Sequence, residues 1–342
     1  MDRRRFLTSS CGVIVLSAKL LPGEHRVVSI NPLEVEFDLA SLKGRYTALE
    51  DFYVRNHFDI PRQPARPLLR LEGEVAKPVR LTPSDLAHLK KRQLGALLEC
   101  AGNPVTRNGL ISNGVWDGWS LEDVLELAHP SAAANFLHLF GRDGYSRSVP
   151  IERVHGDAML VTNLGAHPLR PSHGAPWRAF FPGWYGMDSV KWLERIVVSS
   201  TPLSQNESAY VEMRPATPIG VTRRPLPRVQ VKSIFTCPAD RSVVRRGSVE
   251  VQGLAWCGEG AISKVEVSGD GTNWYDTDLS PAKSRYEWAL WQGSVELSLP
   301  GTAELVCRAT DSHGHTQPER RDAERLDGYG QNWYHRVAVV VV

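Results

Sequence analysis

Leu94-Gly95-Ala96-Leu97-Leu98-Glu99-Cys100-Ala101-Gly102-Asn103 runs a short apolar segment into a thiol and a glycine-bearing turn. Leu94 to Glu99 reads as a strand. A lone cysteine is ordinarily a small buried hydrophobe. Ending a strand beside a glycine, it can also bring soft sulfur and close backbone to one ligand. On either side, Leu68 to Val75 alternates as a strand does, and Thr82-Pro83 has the cap and first-turn residues of a helix. A second helix is expected after Ser120, with Asp123 three residues on, ending near Pro130. Residues 135–140, 158–162 and Trp192 to Val198 read as strands. Residues 165–189 read as a long loop of glycine, proline and aromatics, and residues 24–67 as irregular and Pro-rich.

After about residue 225 helical periodicity nearly vanishes. Val249 to Ala255, Ile262 to Val267, Val295 to Leu299, Leu305 to Ala309 and Arg336 to Val342 are expected strands, and Gly269-Asp270-Gly271 is a hairpin turn. The fold class that follows is α+β: a mixed domain over residues 25–222, then an all-β, immunoglobulin-like sandwich over residues 223–342, with the boundary in the stretch Pro215 to Pro227.

Composition narrows the function. A length of 342 residues accommodates two domains. The 40 basic residues are scattered and the net charge is only +2, which disfavours a nucleic-acid partner. The five cysteines form no CxxC pair and no CxxCH, which disfavours a thiolate zinc site, an iron–sulfur cluster and attached c-type haem. Cys257 and Cys307 read as core, Cys237 as a loop residue, and His313 and His315 as surface residues of a glycine turn. Residues 1–24, with Arg3-Arg4-Arg5-Phe6-Leu7 before a short apolar run, have the form of a twin-arginine export signal, which implies the periplasm. The alternative is a frayed arm on a cytoplasmic protein. No later segment approaches 18 apolar residues.

Two clusters complement Cys100. Arg170-x-x-His173-Gly174-x-Pro176-x-Arg178, continuing to Ser189-Val190-Lys191-Trp192, sets cations and glycines along one loop, a cradle for phosphate or another dense anion. In Arg55-Asn56-His57 the outer two side chains point the same way if the segment is extended, as they would on any surface strand.

Taken in order, Arg55-Asn56-His57, Cys100-Ala101-Gly102-Asn103, the His173 to Arg178 loop, Ser189 to Trp192, and the late segments Ala255-Trp256, Asp270-Gly271 and Asn332-Trp333-x-His335-Arg336 resemble the sulfite oxidase family of molybdopterin-dependent enzymes across residues 45–342. That resemblance implies molybdenum bound by one molybdopterin and by the Cys100 sulfur. It implies Asn56, His57, Asp143, His173, Arg178, Ser189 and Lys191 around the pterin and its phosphate. Around the substrate it implies Arg55, Trp116 and Arg336, with Tyr210 near the metal and Arg107 as a further candidate. Asp143, in Gly141-Arg142-Asp143-Gly144-Tyr145, reads almost equally well as a turn aspartate.

The expected activity is oxidation of sulfite to sulfate by oxygen-atom transfer. Animal members of the family carry a haem domain ahead of the molybdenum domain, and none is expected in the short stretch that precedes it here. Electrons should therefore pass to a separate acceptor such as a c-type cytochrome, from a homodimer joined through the sandwich. The alternatives are a related molybdoenzyme for another sulfur compound, sulfane dehydrogenase-like or a sulfoxide reductase, and a non-catalytic immunoglobulin-like binding protein.

Overall fold

The computed structural model describes residues 26–203, 210–217 and 219–342. The export-signal reading of residues 1–24 and the Glu207-Ser208-Ala209 context of Tyr210 lie outside the described residues.

Two sheets build the first domain. In one, Lys91–Glu99 pairs antiparallel with Ile111–Ser120 in unbroken register, and Met159–Leu164 follows, flanked by His167–Pro168 and Arg178–Phe180. In the other the spatial order is Val79–Leu81, Leu69–Gly73, Leu193–Ser199, Phe136–Gly141 and Ser146–Pro150, with Leu193–Ser199 parallel to Leu69–Gly73. Their apolar faces share a core that holds Leu69, Leu71, Leu139, Ile196, Leu160 and Phe181. Burying each such leucine fully is worth about 1.5–3 kcal/mol.

Local signals succeeded unevenly. Ser120 caps a helix as expected, accepting from the Asp123 N–H at 3.5 Å, but the helix is only Leu121–Glu126 and His129 behind it turns left-handed (φ 51°). The helix expected from Thr82 does not form. The Asp85 carboxylate takes both the N–H and the hydroxyl of Thr82 at 2.7 Å, and fully buried Leu86 draws the chain inward through successive tight turns. Residues 24–67 are not irregular throughout: Arg26–Ile30, Leu33–Glu36 and Val54–Arg55 form a small sheet that sets Arg55 opposite Glu34. The long loop carries the strand Arg178–Phe180, and the Pro-rich boundary is a two-stranded ribbon, Val211–Pro215 with Val221–Pro225.

The second domain is the expected sandwich. Lys232–Cys237, Gly247–Trp256, Ala289–Leu297 and Asp278–Ser280 form one sheet. Ser242–Val244, His335–Val341, Gly301–Asp311, Ile262–Ser268 and Tyr275–Asp276 form the other. Buried residues at alternate positions, such as Val249 and Val251, fill the space between the sheets with Trp291, Leu305 and Val339. Cys257 and Cys307 are buried, as expected, and Cys237 closes a strand, not a loop. At the hairpin, the Asp270 carboxylate accepts the N–H groups of Thr272 and Asn273, both at 2.8 Å. A third core crosses between the domains, joining Leu97, Leu98, Trp116 and Phe180 to Ile234, Leu254, Trp256 and Trp288. Among the described residues no helix is long and apolar enough to cross a membrane.

Candidate active site

Cys100 leaves the strand Lys91–Glu99 with its N–H donating to Leu110 O and its carbonyl accepting from Asn103 N, both at 2.9 Å. The thiol is free, and Cys100, half-buried, lines an open cleft. Burial pushes the thiol up to about 11, against the opposing pull of the Gly102 N–H and the Arg55 charge. A cation coordinated there would displace the proton.

The loop expected to form a cradle brings His173, Arg178, Ser189 and Lys191 to this one cleft. Pro171–His173 is one tight turn closed by Gly174 at φ 102°, where a Cβ would sit 2.9 Å from the Lys191 side chain, so only glycine fits. Arg178 is buried and donates to His173 O at 3.2 Å and Ser189 O at 2.7 Å, while its Nε has no partner. Burial pushes this guanidinium down to about 10. The Lys191 ammonium donates to Arg55 O at 3.2 Å, to Ser172 O at 3.0 Å and to the Asn56 side-chain oxygen. Desolvation, then the Arg178 charge, hold it well below the usual lysine range. Asn56 is itself buried with an unpartnered Nδ2. The Ser189 hydroxyl accepts the Phe181 N–H at 3.1 Å.

Asp143 is a turn aspartate that also reaches the cleft. It lines the cleft, and its Oδ1 accepts the Tyr145 N–H at 3.1 Å. Burial raises its carboxyl. His57 Nδ1 lies 3.4 Å from the Tyr210 hydroxyl, with Tyr210 in a left-handed conformation (φ 61°). Arg55 and His57 are exposed while Asn56 between them is buried, the alternation that an extended segment gives.

His173 lies 4% exposed, edge-on to Phe52. Burial, then the charges of Lys191, Arg178 and Arg170, push its imidazole down to about 3. The unfolded chain takes up that proton below about pH 6.5, and the folded one does not until about 3. The contribution of this group is therefore full above pH 6.5 and lost as pH falls toward 3. Thermal unfolding against pH is expected to show a shallower acid slope in His173→Gln, by up to about 1.4 kcal/mol per pH unit. Equal slopes would mean that the imidazole protonates freely within the fold.

Three candidates do not reach the cleft. Trp116 is fully buried behind it, stacked on Phe180 with its Nε1 bonded to Ala96 O at 2.9 Å, so it is core and not a substrate wall. Arg107 is drawn away by Glu36 at 2.9 Å. Arg336 is held on the sandwich surface by Glu304 at 2.6 Å and Glu319 at 3.8 Å. Conversely, the sequence reading passed over Asp188, fully buried inside the quoted loop, where it binds the guanidinium groups of Arg147 and Arg153. An acidic residue inside an otherwise basic loop was the available signal. Asp311, His313 and His315 come together on the sandwich, but the carboxylate is taken up by the two N–H groups at 2.9 Å and by the His315 ring at 3.0 Å, which makes a turn.

A soft sulfur donor, buried cations, and two buried N–H groups without partners (Asn56 Nδ2 and Arg178 Nε) fit an anionic cofactor that offers acceptors and a metal. Comparison with known proteins agrees. Residues 57–207 match the model of the oxidoreductase molybdopterin binding domain, and residues 223–342 that of the Mo-co oxidoreductase dimerisation domain. The chain is 30% identical to the sulfite oxidase of Gallus gallus, covering 86% of this chain and 73% of that protein. It is also 30% identical to nitrate reductase [NADH] 1 of Oryza sativa subsp. japonica, covering 94% of this chain but 41% of the relative. The solved sulfane dehydrogenase SoxCD of Paracoccus pantotrophus superposes with a TM-score of 0.84 at 25% identity, over 92% of this chain and 87% of that one. Motif order, the two-domain architecture and the donor set round Cys100 converge: the chain belongs to the sulfite oxidase family of molybdopterin-dependent oxidoreductases.

Proposed function

We propose that this enzyme oxidises a reduced sulfur compound and passes the electrons to a separate carrier, a c-type cytochrome. Molybdenum, when bound with its pterin, supplies the two-electron redox change and the oxygen-atom transfer. The observation that carries the reading is the Cys100 thiol facing Arg55, His57 and Lys191 across one cleft. Arg178, Lys191, Asn56 and His173 hold the cofactor, Asp143 accepts hydrogen bonds from it, and Ser189 fixes the backbone beside it. Tyr210 and His57 bind the substrate from the open side.

The substrate wall favours a sulfane-type donor over sulfite. A dense dianion needs several charge-assisted donors. Of the three arginines expected for it, only Arg55 lines the cleft, and Glu34 already pairs with it at 3.3 Å. Arg107 and Arg336 spend their charge elsewhere. This is the chemistry that the name of the Paracoccus pantotrophus sulfane dehydrogenase describes. Export by the basic leader would place the folded enzyme in the periplasm with its acceptor, as a homodimer joined through the sandwich.

The test is anaerobic reduction of the molybdenum-loaded protein, followed by the Mo(V) resonance. A persulfide such as glutathione persulfide is expected to reduce the centre faster than sulfite at equal concentration. Faster reduction by sulfite would reverse the substrate preference. Failure of both donors, with nitrate reoxidising a chemically reduced centre, would overturn the sulfur reading.

A further inference from the structure

Glu99, the residue before Cys100, is 3% exposed, and among the described residues its one ionic partner comes from the other domain. Lys232 Nζ, 1% exposed, lies 3.4 Å from Glu99 Oε1, and Trp256 Nε1 donates to Oε2 at 2.9 Å. Asn103, on the far side of Cys100, donates to the same carboxylate at 3.0 Å. Lys232 and Trp256 face each other as cross-strand partners, so both donors come from one end of one sandwich sheet. Three more bonds cross the seam nearby. The Leu97 N–H donates to Tyr286 O and the Gly330 N–H to Ala101 O, both at 2.8 Å, and the Val105 N–H donates to Gln331 Oε1 at 3.1 Å. The sandwich thus grips the Cys100 segment on both sides of the thiol.

A buried carboxylate and ammonium are costly to separate, so this contact fixes orientation more firmly than apolar packing alone. Successive side chains at a strand end point to opposite faces. A rotation of the backbone at Glu99 therefore re-aims Cys100.

We propose that the sandwich domain is a working part of the oxidising site, with Lys232 and Trp256 as positioning residues that act through Glu99 to direct the Cys100 sulfur at the bound metal. The proposal rests on Cys100 being the metal ligand. It gives the domain a role distinct from joining two subunits.

The test compares the full-length, molybdenum-loaded protein with Lys232→Met and with the doubly neutral Glu99→Gln/Lys232→Met, reading the thiolate-to-molybdenum absorption, the Mo(V) resonance, kcat and KM. In Lys232→Met the two spectra are expected to shift and kcat to fall roughly 10- to 100-fold, the range for groups that orient a ligand, with KM within about twofold because the cleft cations are untouched. Removing both charges leaves no uncompensated ion, so the double variant is expected to unfold near the wild-type midpoint while its spectra stay shifted. A double variant with wild-type spectra and kcat overturns the proposal, and it carries the test if Lys232→Met fails to fold. The ligand reading fails separately: wild-type protein would then contain molybdenum but show no thiolate absorption that Cys100→Ser removes.

Discussion

Cys100→Ser is expected to lower oxidation of the sulfur donor by more than about 100-fold, beyond the 10- to 100-fold typical of residues one step removed from a metal. Its unfolding midpoint should stay at the wild-type value. Serine keeps the volume and both backbone bonds, Cys100 N to Leu110 O and Asn103 N to Cys100 O. What it removes is a soft, polarisable donor, and an alkoxide is far harder to form than a thiolate. Molybdenum should remain partly bound, because Arg178, Lys191 and Asn56, the residues proposed to hold its cofactor, still line the cleft. Ordinary turnover in the variant would show that the thiol is only a wall of the cleft.

The second large effect is on stability, from Asp188→Asn. Asp188 is fully buried and accepts from Arg147 Nε at 2.8 Å and from Arg153, whose guanidinium also stacks 3.6 Å above Trp184. Asparagine keeps the shape but removes the carboxylate charge that these two largely buried guanidinium groups share. Breaking a buried pair from one side costs about 3–5 kcal/mol. For a domain of this size that is a fall in unfolding midpoint of roughly 10 °C. Since the next three residues are Ser189, Val190 and Lys191, cofactor content should fall in step. An unchanged midpoint, measured by calorimetry, would mean that the two arginines do not depend on the Asp188 charge.

The sandwich was legible because its evidence is local. Alternation along Gly247–Trp256 and the Asp270-Gly271 turn are properties of short segments. The cradle was legible for a related reason: His173, Gly174, Arg178, Ser189 and Lys191 lie within one loop, so their neighbourhood in the chain foreshadows their neighbourhood in space. The helix expected at Thr82 shows where this fails. A capping threonine and a first-turn proline suit a helix equally well with or without Leu86 buried beneath, and the core decided against it.

The amino-acid order by itself therefore determined the two-domain plan, the thiol at a strand end and the cationic loop that answers it. Only the tertiary structure decided which charges remain available to a substrate. Glu36 reaches Arg107 across 71 residues and Glu304 reaches Arg336 across 32, while Lys232 meets Glu99 across 133. A charge is cancelled by whatever lies within a few ångströms of it, and no sequence interval measures that distance.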